Sequence, residues 1–558
     1  MTNSENSEKK AGLFFLDQHG CAKNQVDGEL IITRLLNLGW KQTFQPEEAS
    51  LIIVNSCGFI QSAKEESIDA VCQARSLYPD AKILLTGCLA ERYAENFKEA
   101  LPEADGIFGN GDLSKIDQVI SDLQEGQRPV QTYKQEGVCS GDRKVLLGYK
   151  GSAFVKITEG CSNHCSFCAI PLIRGELRSR PADQIIQEIK DLVSSGVVEI
   201  NLIGQDLAAY GSGKDDNVFG DGRLALQTSL PQNIDLNSSA LDEKSASSHK
   251  SGQLSQSGQT TQFDKSSQYS QLCQSGQFSQ DASLLDKTNS SQESGLARLL
   301  QKISQISGSF VVRLLYIHPD HFNFDIFPAI KADSRILPYF DIPFQSGDDQ
   351  IIQKMNRRGS SQSYRALVQK IRNELPQAVI RTTFLTGFPG ESDKNAENTR
   401  SFLSAIQSDW SGCFPYSREE DTPAYSYKNR VSSKIAEKRS QLLQELQSEI
   451  THKKLLKKVG KTFGVLVEEV VSDSENSDGE GLAICRAWFQ APEVDGNVVV
   501  RYDLQDKAQA QAVKTGAVLN VKIIAVSGVD LDAVFISSNP KYSQSQPSGG
   551  LLYAPELL

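Results

Sequence analysis

The sequence predicts an α/β protein in three parts: an N-terminal parallel α/β domain, a central partial (βα) barrel and a small C-terminal β-barrel. Three observations carry this. From residue 12 to about 430, short apolar runs alternate with segments of helical period, the pattern of parallel sheets. After residue 460 the pattern changes to short β runs separated by turn residues. The length of 558 residues corresponds at ordinary domain sizes to about three or four domains.

Residues 1–11 are polar and charged, and a loose tail is expected there. Over 12–125, strands are expected at 12–17, 51–54, 82–86 and 107–108, and helices at 24–38, 61–77, 89–100 and 112–123. Residues 126–150 read as a linker. Alternation resumes over 151–458, with strands at 153–157, 198–203, 310–317, 338–342 and 379–385 and helices at 181–194, 296–306, 364–373 and 396–406. About six βα units make a full or partial barrel. Residues 432–458 form one long charged helix. Over 459–538, runs at 464–468, 481–487, 496–500, 518–526 and 533–536 fit a small barrel. Residues 539–558 are a polar tail.

The stretch 213–294 breaks the pattern. Between 221 and 294 there are 18 Ser and 12 Gln among 74 residues, and Ser-Gly-Gln recurs at 251, 257 and 275. Such a composition buries too little apolar surface to offset its ordering entropy, so a disordered insertion in one βα loop is expected.

The formal charge is -11, which argues against coating nucleic acid through the overall field. No apolar run approaches the ~20 residues of a membrane span, and residues 1–10 show no signal-peptide h-region. A cytoplasmic protein is expected. In that compartment, eleven cysteines point to metal or redox chemistry before disulfides.

The sharpest signal is Cys161-Ser162-Asn163-His164-Cys165-Ser166-Phe167-Cys168, directly after a predicted strand. Its two turn-sized steps let three sulfurs converge. Three thiolates hold three irons of a four-iron cluster and leave the fourth iron open for an outside ligand. The alternatives are a zinc site, with His164 as a fourth ligand, and a plain loop. In the N-terminal domain Cys21, Cys57 and Cys88 each follow a predicted strand. They therefore share one edge of a parallel sheet, where ligands bind. Buried structural cysteine is the alternative for any one of them. Cys72, Cys273, Cys413 and Cys485 are read as structural, and Cys139 lies in the linker without an evident partner.

The spacing Cys161, Cys165, Cys168 after the first strand of a βα barrel resembles the radical S-adenosylmethionine enzymes. The resemblance implies that the open iron chelates the amino and carboxylate groups of S-adenosylmethionine, and that electron transfer yields a 5′-deoxyadenosyl radical. Gln205 and Asp206, closing the next strand, are expected to meet the cofactor's polar groups. Gly387 and Gly390, in the turn from Thr386 to Glu391, are expected to let backbone approach the adenine. Arg174, Arg178 and Arg180 follow the cysteine loop. They are candidates to pair with a carboxylate of cofactor or substrate or to form structural ion pairs, and Arg178 is the one taken as a cofactor-binding candidate.

Two cysteine trios in this order with a terminal β-barrel resemble the methylthiotransferases over nearly the whole chain. The resemblance implies a radical-SAM barrel, a TRAM-like terminal barrel and two [4Fe-4S] clusters. One cluster would be held by Cys161, Cys165 and Cys168, the other by Cys21, Cys57 and Cys88. Such enzymes insert sulfur plus a methyl group at an unactivated C–H bond. Within the family, the stretches 159–165, 170–181, 204–211, 339–345 and 412–420 resemble the branch that modifies a ribosomal protein. Arg486-Ala487-Trp488-Phe489-Gln490-Ala491-Pro492-Glu493-Val494-Asp495-Gly496 resembles it too. Gln345-Ser346-Gly347 departs from the family's usual Gln-His-Ala. This resemblance implies modification of the β-carbon of an aspartate in small-subunit ribosomal protein twelve.

The residues from Trp488 to Asp495 are then expected to read the protein partner. Residues 461–540 hold six Lys/Arg against twelve Asp/Glu, an acidity that suits a basic protein better than tRNA. The helix 432–458, with seven Lys/Arg against three Glu, is a candidate contact for ribosomal RNA, or a solvated face. A reducing electron donor is a further expected partner. The rival readings are a tRNA methylthiotransferase acting on isopentenyladenosine and a non-enzymatic metal-binding adaptor.

Overall fold

The computed structural model describes residues 12–133, 138–220, 293–471 and 479–539, with the backbone of Leu552–Tyr553. The N-terminal tail and nearly all of the Ser/Gln-rich insertion lie outside the described residues.

The N-terminal domain runs β1 (Leu13–Gln18), α1 (Ala22–Asn37), β2 (Lys41–Gln42), β3 (Leu51–Ser56), α2 (Gln61–Leu77), β4 (Lys82–Gly87), α3 (Cys88–Ala100), β5 (Gly106–Gly109), α4 (Ile116–Gln124) and β6 (Val130–Gln131). The sheet is parallel throughout, in the order β2-β1-β3-β4-β5-β6. Period-two alternation splits β3 between two cores. Leu51 and Ile53 pack towards α1 and α4, while Ile52 and Val54 pack towards α2 and α3.

The stretch 126–150, expected as a linker, is built into the fold. It supplies β6, and it buries Val145 and Leu146 as β7 (Val145–Leu146). The backbone of Leu552–Tyr553, in the stretch expected to be a tail, pairs in parallel with β7.

The central domain has β8 (Ser152–Lys156), β9 (Thr158–Glu159), α5 (Ile170–Arg174), β10 (Arg178–Ser179), α6 (Ala182–Ser194), β11 (Glu199–Ile203), α7 (Gly295–Ser304), β12 (Val311–Leu314) and α8 (Phe327–Ala332). It continues with β13 (Ile336–Asp341), α9 (Asp349–Lys354), α10 (Ser361–Glu374), β14 (Val379–Thr386), α11 (Asp393–Ile406) and β15 (Trp410–Pro415). Strands β8, β11, β12, β13, β14 and β15 form a parallel sheet in sequential order, open between its first and last strands. This is the partial barrel. Ile185, Ile189 and Leu192 of α6, spaced for one helix face, cover it from outside.

The long helix α12 (Ser433–Leu456) packs on β15 and α11. Its charges are largely committed. Arg439 pairs with Glu391 and Asp393, Lys454 with Asp409, and Lys453 with Glu449. Just beyond the helix, Lys458 lies over the Phe489 ring at 3.8 Å. Arg439, Lys454 and Lys458 serve the fold.

The C-terminal domain is a closed five-stranded barrel of β16 (Thr462–Val471), β17 (Glu480–Ala487), β18 (Val498–Asp503), β19 (Val518–Ser527) and β20 (Asp530–Ser538), with α13 (Lys507–Ala512) between β18 and β19. A buried charge cluster locks it to the start of the central strands. Glu199, the first residue of β11, accepts from Arg486 Nη1 at 2.7 Å and Nη2 at 2.6 Å and from Arg313 Nη2 at 2.9 Å. Arg486 Nε also donates to Glu468 at 2.7 Å, and Arg313 Nη1 to the Trp488 carbonyl at 2.8 Å. The two guanidinium groups hold the Glu199 carboxyl far below the ordinary glutamate range against the cost of burial.

The stretch Trp488 to Asp495, expected to read a protein partner, is divided: Glu493 and Val494 are exposed, and the middle of the stretch serves the fold. Phe489, Gln490 and Ala491 are fully buried, and the Phe489 carbonyl accepts from Trp410 Nε1 at 2.8 Å. Asp495 accepts from Tyr339 at 2.5 Å and pairs with Arg381 at 3.4 Å. These buried residues form an interdomain latch. Glu468 and Asp495 also count towards the domain's acidity without reaching its surface, which weakens the charge argument.

Arg486→Ala should strand Glu199 and Glu468 in the interior and destabilise the protein by about 3–5 kcal/mol. A lowered denaturation midpoint and earlier proteolysis between α12 and β16 are the readouts.

Candidate functional site

The N-terminal trio is assembled by strand register. Gln18 pairs with Asn55, Asn55 with Thr86, and Ser56 with Gly87, so the C-terminal ends of β1, β3 and β4 lie abreast. Cys57 and Cys88 each follow one residue later. Cys21 is the N-cap residue of α1, and Cys88 opens α3. Both sulfurs therefore sit at helix N-termini, which favour anionic thiolates. Two asparagines bind the loops together. Asn24 Nδ2 donates to the carbonyls of His19, Asn55 and Ser56, and Asn55 Nδ2 to Gln18 Oε1 and the Asn24 carbonyl. Gly58 is glycine because the Cys88 backbone passes within 2.7 Å of where a Cβ would stand.

The second trio lies on an excursion whose two ends are clamped together. Arg178 pairs with Glu159 and Ser179 with Thr158, so β9 and β10 close the loop 160–177. The Asn163 side chain is tied to Asp206 at 3.1 Å, the His164 carbonyl to Asn356 at 2.8 Å, and the Ser166 hydroxyl to the Lys354 carbonyl at 2.8 Å. Cys165 is buried with Phe167, Met355 and Phe388. Its sulfur lies 3.8 Å from His318 Nε2. His164 is exposed with a left-handed backbone, φ 49°, which turns it away from a ligand role.

Neither trio forms a group whose three sulfurs all lie within 4.8 Å of one another. A single tetrahedral zinc, with Zn–S of about 2.3 Å, needs sulfurs about 3.8 Å apart. Among the described residues, the group that closes within 4.8 Å is Asp206, His318 and His321.

Burial pushes the Cys57 and Cys161 thiols up to about 12 and raises Cys88, Cys165 and Cys168 as well. Cys21 is the exception. Desolvation would raise it, but the neighbouring cations of Lys23 and Arg174 outweigh that and lower it.

A buried bridge joins the N-terminal domain at Cys88 and Asp27 to the strand that leads into the second cysteine loop. Arg174 Nη2 lies 3.2 Å from Cys88 Sγ and 2.8 Å from Asp27 of α1, while its Nη1 is 2.6 Å from Glu159, two residues before Cys161. Lys156 closes the ring with Asp27 at 2.5 Å and Glu159 at 2.6 Å. A second strap joins Arg92 and Lys64 of the N-terminal domain to Glu419, at 2.7 and 3.1 Å. Lys23 reaches across as well. Its Nζ donates to the Gly204 carbonyl at 3.1 Å and sits 3.6 Å from the centre of the Tyr316 ring.

The other predicted site residues divide. Gln205 carries a buried amide with neither its nitrogen nor its oxygen hydrogen-bonded. Thr158 Oγ1, Gln345 Oε1 and the Tyr416 hydroxyl are likewise unpartnered, all at the C-terminal rim of the partial barrel. Buried polar atoms normally have partners, so this rim fits a polar ligand such as S-adenosylmethionine. The Asp206 carboxylate, by contrast, is already engaged. It accepts from Asn163, from His321 at 2.6 Å and from the backbone of Ala208 and His318. These contacts offset desolvation and hold it at about 2. It positions the cysteine loop.

Arg178 donates to the carbonyls of Arg174 and Glu176, and Arg174 and Arg180 are in structural ion pairs. Gly387 has φ 76° and abuts Ala436 of α12, 2.3 Å from a notional Cβ, so helix packing accounts for it. Gly390 has φ 83°, a left-handed conformation that favours glycine, and a Cβ there would meet the flexible end of Lys354.

Sequence reasoning missed Lys23, Asp27, Lys156, Glu159 and His318. The available signal was polar residues at buried-face positions of α1: Lys23, Asn24, Asp27 and Glu29 are all buried.

Comparison with known proteins follows the same division of the chain. Residues 13–109 match the uncharacterized protein family UPF0004, 155–217 the radical SAM superfamily and 459–536 the TRAM domain. Ribosomal protein uS12 methylthiotransferase RimO of Treponema denticola is 46% identical, over 93% of this chain and 100% of that one. The RimO proteins of Natranaerobius thermophilus and Carboxydothermus hydrogenoformans are 33% and 32% identical, each over 94% of this chain and over 98% and 99% of theirs. Among solved structures, the radical S-adenosylmethionine methyltransferase TsrM from Kitasatospora setae aligns at a TM-score of 0.45 with 11% identity, over 79% of this chain and 89% of that one. That likeness is too low to carry an argument.

In metal-free protein, iodoacetamide should alkylate Cys21 well before Cys57, because the lowered thiol carries the larger thiolate fraction at any given pH. The Cys57 rate should keep rising with pH towards 12. Peptide mass mapping after timed quenching checks the order.

Proposed function

The chain belongs to the ribosomal protein uS12 methylthiotransferase family, and on that premise we propose that it adds a methylthio group to the β-carbon of an aspartate in uS12, in the cytosol. The observation that supports this reading is Arg174, which touches the Cys88 sulfur and pairs with Glu159, two residues before Cys161. An enzyme that both removes a hydrogen atom and delivers sulfur needs two metal centres close to one carbon.

In this reading Cys161, Cys165 and Cys168 hold the [4Fe-4S] cluster that binds S-adenosylmethionine, and Cys21, Cys57 and Cys88 hold a second. When loaded, these groups supply a carbon radical, a sulfur atom and a methyl group. The rest is the work of the polypeptide. Thr158, Gln345 and Tyr416 offer hydrogen bonds that orient the cofactor. Asp206 fixes the loop through Asn163 and braces the backbone of His318. Phe167, Met355 and Phe388 exclude water around Cys165. The Arg174 guanidinium stabilises the Cys88 thiolate and sets the separation of the two centres. A reducing electron donor must supply the electrons, and no residue here identifies it.

The tRNA reading weighed from the sequence gives way to the ribosomal protein, since the curated relatives act, by name, on uS12. The adaptor reading falls with membership of an enzyme family. Among the described residues no helix is long and apolar enough to cross a membrane.

Anaerobically reconstituted protein should carry about eight irons per chain and add one methylthio group to uS12 while leaving tRNA unchanged by mass. The combined Cys21→Ala, Cys57→Ala, Cys88→Ala variant should retain about four irons, still cleave S-adenosylmethionine and form no methylthiolated uS12. Modified tRNA with unmodified uS12 would overturn the reading.

A further inference from the structure

We propose that the ammonium of Lys23 is the binding site for the side-chain carboxylate of the substrate aspartate, and that it makes the enzyme selective for an acidic residue. This rests on the uS12 reading above.

Lys23 is 6% exposed. Buried cations are normally paired with carboxylates, because leaving water uncompensated is costly. The other cations around this site obey the rule. Lys156 and Arg174 each pair with both Asp27 and Glu159, and Arg381 pairs with Asp341 and Asp495. Lys23 does not. Among the described residues no carboxylate oxygen lies within 4.0 Å of its Nζ, and its partners are the Gly204 carbonyl and the face of Tyr316. An ammonium has three donors, and the Gly204 bond uses one.

A second unmet group stands next to it in the chain. Gln205 follows Gly204, and its buried amide has neither atom bonded. A cation with donors to spare is thus bound to the residue just before an amide with a free N–H, at the end of β11. Their shared complement is a carboxylate, which accepts from both at once.

The chemistry of the substrate agrees. The aspartate carboxylate is one bond from the carbon that reacts, so holding the carboxylate places that carbon. A neutral side chain would leave Lys23 buried and unpaired, which is how a polar site rejects an uncharged analogue. The carboxylate of S-adenosylmethionine is the other source of this chemistry. Lys23, however, is carried on α1 beside Cys21, not on the loop of Cys161, Cys165 and Cys168 where that cofactor binds.

The test measures binding of labelled uS12, and of uS12 with the target aspartate replaced by asparagine, to reconstituted enzyme with S-adenosylmethionine under anaerobic conditions. Wild type should prefer the aspartate form by about 100-fold. Lys23→Met should bring that ratio close to one by weakening the aspartate form alone, with iron content and S-adenosylmethionine affinity unchanged. Lys23→Arg should restore part of the preference. Equal binding of the two forms by wild type overturns the proposal whether or not the variants fold. So does an undiminished preference in Lys23→Met, a loss of iron there, or a loss confined to S-adenosylmethionine affinity, which would hand Lys23 to the cofactor. Failure of the wild-type enzyme to methylthiolate uS12 at all is a separate result, and it removes the parent reading first.

Discussion

The architecture turns on four buried charges. Asp27, Lys156, Glu159 and Arg174 form a closed ring of ion pairs drawn from the N-terminal domain, the first strand of the partial barrel and the cysteine loop. Each charge would be prohibitively costly alone at this depth, and together they are compensated only in one relative placement of the domains. The ring therefore acts as a register pin between two separately folded sheets. One of its members, Arg174, also touches the Cys88 sulfur, so the pin and the chemistry are joined. The N-terminal sheet carries three thiols just beyond its strand ends, the central domain carries three on one loop, and the pin ties the two regions together.

The C-terminal barrel is fastened by the same physics at the opposite end of the strands. Glu199 sits under two guanidinium groups, one from β12 and one from β17. The segment after β17 then fills the start of the barrel with Phe489, Gln490 and Ala491. A conspicuous sequence stretch there is structural in use. The open mouth at the trio end is lined instead by hydrogen-bonding atoms that the protein leaves unmet, which is the signature of a site built for a ligand.

How much of this was legible depends on range. Strands β1, β3, β4, β8 and β11 could be read because their apolar runs are local and uninterrupted. The placement of Cys21, Cys57 and Cys88 on one edge followed from their position after strands in a parallel sheet, since topology alone fixes that edge. The roles of Gly387, Gly390 and Asp206 were not legible. A strand-end glycine looks the same in sequence whether it clears a ligand or a helix, and here Ala436, some fifty positions later, makes the difference. Asp206 looks like a free carboxylate until His321 and Asn163 are seen to occupy it. The linker reading of 126–150 failed because a two-residue edge strand such as β6 has no periodicity to detect.

By itself the sequence determined the layer architecture, the two trios and the family, because each is written in residue type and spacing over short distances. Only the tertiary structure decided that Arg174 links Cys88 to Asp27 and Glu159, that Phe489 to Ala491 pack between domains, and that Lys23 is a buried cation without a carboxylate. Those are properties of long-range pairing. A charge's meaning depends on which opposite charge folding brings within a few ångströms, and that partner can lie anywhere in the chain.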